Sequence, residues 1–125
     1  MKFFIQTGAI LGLLSVAIGA FGAHALRATL TASGRAETFE TAVKYQFYHA
    51  LALLAVGILL HLMAGNPMAE KWLTYAGYSF LAGILVFSGS LYVLCATGIT
   101  VLGAITPLGG VMMIAGWAMI FWAVR

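Results

Sequence analysis

The chain has 125 residues, of which 63% are hydrophobic and 7% charged, and it carries a formal net charge of +3. So few ionisable side chains cannot solvate a globular surface of this size, which excludes an ordinary water-soluble domain. Its six cations, Lys2, Arg27, Arg35, Lys44, Lys71 and Arg125, never cluster, which excludes a nucleic-acid surface, and the single cysteine, Cys95, excludes an internal disulfide.

A helix needs about 20 predominantly apolar residues to cross ~30 Å of hydrocarbon. Four runs qualify, 3–26, 45–64, 72–96 and 99–123. They predict an all-α fold: one domain over residues 1–125, a polytopic bundle of four transmembrane helices, multi-pass in a bacterial inner (cell) membrane. The cations fall near the ends of these runs, as interfacial anchors do. Lys2, Lys71 and Arg125 lie at one face and Arg27, Arg35 and Lys44 at the other, so the positive-inside count selects neither orientation.

In the first span Gly8, Gly12, Ser15, Gly19 and Gly22 recur at spacings of four and three. On a helix turning 100° per residue they stay within an arc of roughly 80°. This is a packing seam, because association in hydrocarbon is built from small side chains that let backbones approach. The same stretch resembles a secretory signal, with Lys2, an apolar core and Ala23-His24-Ala25 as a small-x-small pattern. Its apolar run exceeds the usual 7–15 residues, so a retained helix is expected.

The connection that follows has turn residues at Thr31 and Ser33-Gly34 and becomes helical from Ala36. Phe39, Val43 and Phe47 share one stripe, and Glu37, Glu40 and Lys44 another. An unbroken helix from Ala36 to Met63 would be about 42 Å long, longer than the hydrocarbon is thick. We therefore expect an amphipathic interfacial segment that turns into the second span near Lys44. Tyr45, Gln46 and His49 then occupy one face of that span, and His61 lies about 18 Å further along the axis.

Asn66-Pro67 breaks the chain, and Trp72, Tyr75 and Tyr78 form an aromatic belt at the start of the third span. Ala76, Ser79, Gly83, Val86 and Ser90 repeat the four-three spacing, a second seam, while Ser88 and Tyr92 offer polar groups to a neighbour. Only a few residues around Thr97-Gly98 precede the fourth span, so the third and fourth should be antiparallel neighbours. Pro107 falls inside the fourth run and predicts a kink, with Gly109 and Gly110 leaving space beside it. Trp117, Phe121 and Trp122 close the chain before Arg125.

Chemistry concentrates where His24, at the end of the first span, meets His49, Tyr45 and Gln46 at the start of the second, with Glu37 and Glu40 within reach. Such groups can bind a ligand or pass protons. The chain has no aspartate, no P-loop, no G-x-G-x-x-G and no H-E-x-x-H, so no catalytic residue, metal set or cofactor is assigned. On an ideal helix His24 points roughly 160° away from the glycine seam. The first span thus has two sides to pack, which predicts a homo-oligomer. Three functional readings follow: a non-enzymatic oligomeric bundle binding a lipid, a quinone or a partner helix; a small-solute or proton-linked transporter or channel lined by His24, His49 and the Pro107 break; or a haem- or metal-binding subunit using the two histidines. The first accounts for both seams and the scarcity of intramembrane charge.

GAFGAHAL at residues 19–26, YQFYHALALL at 45–54, SGSLYVL at 88–94 and ITPLGG at 105–110 together resemble the domain of unknown function 423 family. That family groups small YgdD- and YwdK-like bacterial membrane proteins with the eukaryotic transmembrane protein 256. The resemblance implies a four-span inner-membrane protein and supplies no catalytic residue.

Overall fold

Local sequence sets where each helix starts and stops. In the computed structural model, which describes residues 1–125, α1 runs Lys2–Ala23, a short α2 Arg27–Ala32, α3 Ala36–Leu62, α4 Pro67–Thr97 and α5 Thr106–Ala123, the last preceded by a 3-10 turn at Thr100–Ala104. Gly34 adopts φ +70°, and the Arg35 N–H bonds back to the Leu30 carbonyl, closing the end of α2. At the start of α4 the Asn66 side chain accepts the Ala69 N–H at 3.2 Å, Pro67 fills the first turn where no donor is needed, and the Glu70 carboxylate accepts the Gly65 N–H at 2.8 Å.

α1, α3, α4 and the stretch Thr100–Ala123 are each long and apolar enough to cross a membrane, so the fold is all-α with four spans, as the composition predicts. Contacts run in one order. α1 packs on α3, α3 on α4, and α4 on α5, with no comparable contact between α1 and α5.

Two of these joints are made where side chains are absent. Along α1, Gly8 faces Ala50, Leu53 and Leu54, Gly12 faces Ala50, Gly19 faces Val43 and Gly22 faces the Phe39 ring, while Ser15 is 2% exposed. The whole glycine stripe of the first helix therefore lies against α3 of the same chain. On the other side, Gly83 of α4 meets Gly109 and Met113 of α5, Gly109 meets the backbone of Phe87, and Gly116 meets the Phe80 ring. Between them the core fills with Phe4, Leu53, Val56, Leu73, Phe80 and Ile84.

Two features differ from the sequence expectation. α3 does not turn near Lys44; it is one helix of 27 residues. Its first turns stand upright beside α1, because Gly19 and Gly22 extend the groove that receives Val43 and Phe39. Breaking the helix there would forfeit that contact and expose backbone groups in a poorly hydrated layer. Pro107 is likewise not a kink inside a helix. It sits in the first turn of α5, where its missing N–H costs nothing, and the break appears as a change from 3-10 to α geometry. Thr106 closes that change by donating its hydroxyl to the Leu102 carbonyl at 3.3 Å.

The glycine joints make a direct prediction. A methyl group on Gly109 would collide with the Phe87 backbone, which cannot rotate away, whereas one on Gly89 meets nothing within 4 Å. Gly109→Ala should therefore destabilise the fold by about 1–3 kcal/mol, the usual range for an overpacked site. Gly89→Ala should be neutral or stabilising by up to ~1 kcal/mol. Reversible unfolding in mixed detergent micelles measures both.

Candidate functional site

Polar side chains in an apolar bundle must find partners within it, and here every buried one does. Gln46 is 3% exposed at the meeting of three helices. Its amide donates to the Leu11 carbonyl of α1 at 3.0 Å, and its oxygen accepts the Tyr92 hydroxyl of α4 at 2.6 Å. Ser88 of α4 donates to the Ala42 carbonyl of α3 at 2.7 Å. Between α4 and α5, Ser79 donates to the Met112 carbonyl at 2.6 Å, and Ser90 and Thr106 share a hydroxyl bond at 2.6 Å.

His49, 5% exposed, ties α3 to α5. Its Nδ1 lies 2.8 Å from the Tyr45 carbonyl, and its Nε2 lies 3.2 Å from the Trp117 indole nitrogen. A carbonyl can only accept and an indole N–H can only donate, so the imidazole carries its hydrogen on Nδ1 and accepts at Nε2. Adding a proton at Nε2 would set two donors against each other. Phe80 packs against both rings, 5.4 Å from His49 and 5.1 Å from Trp117 between centroids. Both nitrogens are thus engaged, and neither points at a free space.

The four residues expected to form one locus do not form one. His49 and Tyr45 are joined through the Nδ1 bond, with the Tyr45 ring stacked on Phe87 at 4.5 Å, and Gln46 sits a turn away in bonds of its own. His24 is exposed beyond the end of α1 and has no side-chain hydrogen bond. Gly22 is level with Phe39, His24 lies two residues beyond Gly22 and His49 ten residues beyond Phe39, so about 18 Å of helix axis separates the two histidines. No three histidine, cysteine or glutamate side chains converge anywhere. Placing the start of the second span at Tyr45 put His49 near a rim; starting α3 at Ala36 carries it more than three turns into the bundle.

The space in this protein lies elsewhere. A cleft of about 490 Å³ opens between the end of α1, α2 and the start of α3, lined by Gly19, Gly22, Arg27, Leu30, Phe39 and Glu40 among others. Val43, also on its wall, continues into a shallower groove of about 220 Å³ formed by Ser15, Val16, Lys44, Phe47 and Tyr48. Polar groups mark the outer end and apolar ones the inner. Glu40 and Lys44 pair at 3.0 Å where the two depressions meet, both more than half exposed. Neither depression is lined by His24, His49, Gln46, Tyr45 or Pro107. Sequence reasoning passed over Arg27 and Thr31 in this role, although the signal was present: the longest connection in the chain carries charges on both sides of its turn and follows directly on Gly19 and Gly22.

Comparison with known proteins identifies relatives of the sequence. A family described as "Protein of unknown function (DUF423)" matches residues 18–110. The chain belongs to the DUF423 family. The UPF0382 membrane protein YwdK of Bacillus subtilis (strain 168) is 48% identical over 120 residues, covering 96% of this chain and 94% of the relative. The UPF0382 membrane protein SH2409 of Staphylococcus haemolyticus (strain JCSC1435) is 43% identical over 120 residues, covering 96% and 93%. No solved structure matches. These bacterial membrane relatives and the four long apolar helices make this DUF423 protein a multi-pass membrane protein. The stretch matching the family holds the whole cleft, His24 and the α3 face of Gln46 and His49, whereas Trp117 lies beyond it.

Because His49 and Trp117 complete each other, their removal should not be additive. Trp117→Phe leaves Nε2 of His49 without a donor, and His49→Leu leaves the indole without an acceptor. A double-mutant cycle of these two changes, measured by unfolding in mixed micelles, should return a coupling of about 0.6–1.7 kcal/mol, the range found for side-chain hydrogen bonds inside membrane proteins. Additivity would show that the bond contributes nothing.

Proposed function

We propose that this DUF423 protein is non-enzymatic and accommodates an amphipathic, lipid-like molecule in the cleft between α1, α2 and α3. The observation that carries this reading is the shape and chemistry of the cleft. Its volume of about 490 Å³ is that of a small-molecule site, and it passes into an apolar groove along α1 and α3. Arg27, Thr31 and Glu40 gather at the outer end, while Val16, Val43 and Phe47 line the inner course. An amphipath laid along such a wall places its polar end among the first set and its tail among the second.

The buried polar side chains support the non-enzymatic part of the reading. Gln46, Ser79, Ser88 and His49 each make a hydrogen bond to another helix, and the remaining nitrogen of His49 bonds within its own. The cleft itself contains no nucleophile held against a base, which acyl or group transfer would need. With the α1 glycine stripe engaged by α3, self-association into a homo-oligomer would use apolar outer flanks of α1 and α5 that border neither depression, such as Ile10, Leu13, Val111 and Ile114.

Native mass spectrometry of protein extracted in a mild detergent tests this directly. Ala23 lines the cleft and is exposed, so Ala23→Trp should fill the space without disturbing the core. The variant is expected to retain severalfold less co-purified lipid per chain than the unaltered protein. Ala118→Trp, on an exposed position of α5, is expected to retain the normal amount. Equal retention by Ala23→Trp and the unaltered protein would overturn the reading, and the same spectra count subunits.

A further inference from the structure

We infer that the occupant of the cleft is a phosphodiester-bearing phospholipid whose phosphate is held by Arg27; this rests on the reading of the cleft as a lipid site. Charge makes the selection. Two cations and one carboxylate touch the cleft and the groove that continues it: Arg27, Lys44 and Glu40. Glu40 is matched by Lys44 at 3.0 Å. Arg27 has no carboxylate partner, since Glu40 with Lys44 is the one ion pair in the protein, and its guanidinium makes no side-chain hydrogen bond. An unmatched guanidinium on the wall of a cleft asks for an anion, and its planar fork fits a phosphate through two parallel bonds. A quinone or other neutral isoprenoid has no group to answer it.

Depth agrees with charge. Val43 lies opposite Gly19, four residues before the end of α1, so the Glu40–Lys44 pair sits only about 6 Å inside the end of that helix. That level suits headgroups and the glycerol backbone, where long cationic side chains extend toward water. From there the groove runs inward along α3 from Val43 to Phe47 and Tyr48, and along α1 from Gly19 to Ser15 and Val16. It follows the helix axes, the direction an acyl chain takes in a bilayer. Phe39 to Tyr48 spans about 13 Å of axis, the length over which cleft and groove together follow α3. A soluble phosphate would use Arg27 alone; the adjoining groove commits the site to a lipid.

Delipidated protein in a mild detergent would be titrated with dioleoyl phosphatidylglycerol, with dioleoylglycerol, which has the same chains and no phosphate, and with glycerol 3-phosphate, which has no chains. Bound states would be counted by native mass spectrometry. The unaltered protein should bind the phospholipid about tenfold or more tightly than the diacylglycerol, the effect of a charge-assisted hydrogen bond to phosphate. Arg27→Gln should bind the two equally, at the weaker level, and Arg27→Lys should recover part of the preference. Arg27 is exposed, so neither change threatens folding. A phospholipid preference that survives in Arg27→Gln while Ala23→Trp binds neither lipid would overturn the phosphate assignment and leave the lipid site standing. Undiminished binding by Ala23→Trp would overturn both. Glycerol 3-phosphate binding as tightly as the phospholipid would overturn the lipid and identify a site for free phosphate.

Discussion

Close approach of helix backbones at glycine is the contact on which this membrane protein is built. In hydrocarbon no gain comes from hiding an apolar face, because lipid is as apolar as leucine, and cohesion must come from dispersion between surfaces that fit and from hydrogen bonds. Glycine supplies the fit at two joints, Gly8 to Gly22 of α1 against α3 and Gly83 of α4 against Gly109 of α5. Each gap is filled by something of the opposite kind: a carbonyl and leucine side chains at Gly8, a phenylalanine ring at Gly22 and at Gly116, backbone at Gly109. The helix order α1, α3, α4, α5 follows from where these gaps face.

Once helices lie this close, polar side chains reach across. Gln46, Ser88, Ser79 and His49 each bond to a different helix from their own, and together they link all four spans. Such bonds are individually small in a membrane, since an unfolded segment finds other partners. Their larger effect is on uniqueness: a slip of one residue along α3 would leave both Gln46 and His49 without partners at once. The residues that look most chemical in this chain therefore act as register pins. With one imidazole nitrogen on a carbonyl and the other on an indole, His49 has no atom left for a ligand unless Trp117 moves.

The cleft is a by-product of the same packing. α1 ends at Ala23, α3 begins at Ala36, and the twelve-residue path between them folds into α2 and its closing turn at Gly34. Because α3 stays helical past Lys44, its first turns form a wall facing α2 across the end of α1. Gly19 and Gly22 give that wall depth on one side, and Phe39 with Val43 gives it an apolar floor. Charges that serve elsewhere as interfacial anchors here border a space, and Arg27 is the one left unmatched. A helix that turned near Lys44, as the amphipathic pattern suggested, would have closed it.

From the sequence alone came the class and the seams. Four apolar runs and glycines at spacings of four and three are local signals, each written within one or two helical turns, and composition at that range decides solvent and secondary structure. Helix ends were legible for the same reason at Gly34, Asn66-Pro67 and Gly98. What only the tertiary structure decided was which surface each signal would meet. Nothing within α1 says that its glycine stripe faces α3 rather than a second copy, nothing within α3 says that His49 will find an indole 68 residues away, and the turn expected at Lys44 was overruled by a groove on another helix. A pairing across the bundle depends on the relative rotation and height of two helices, and a periodic pattern in one chain segment carries the rotation of that segment only about its own axis.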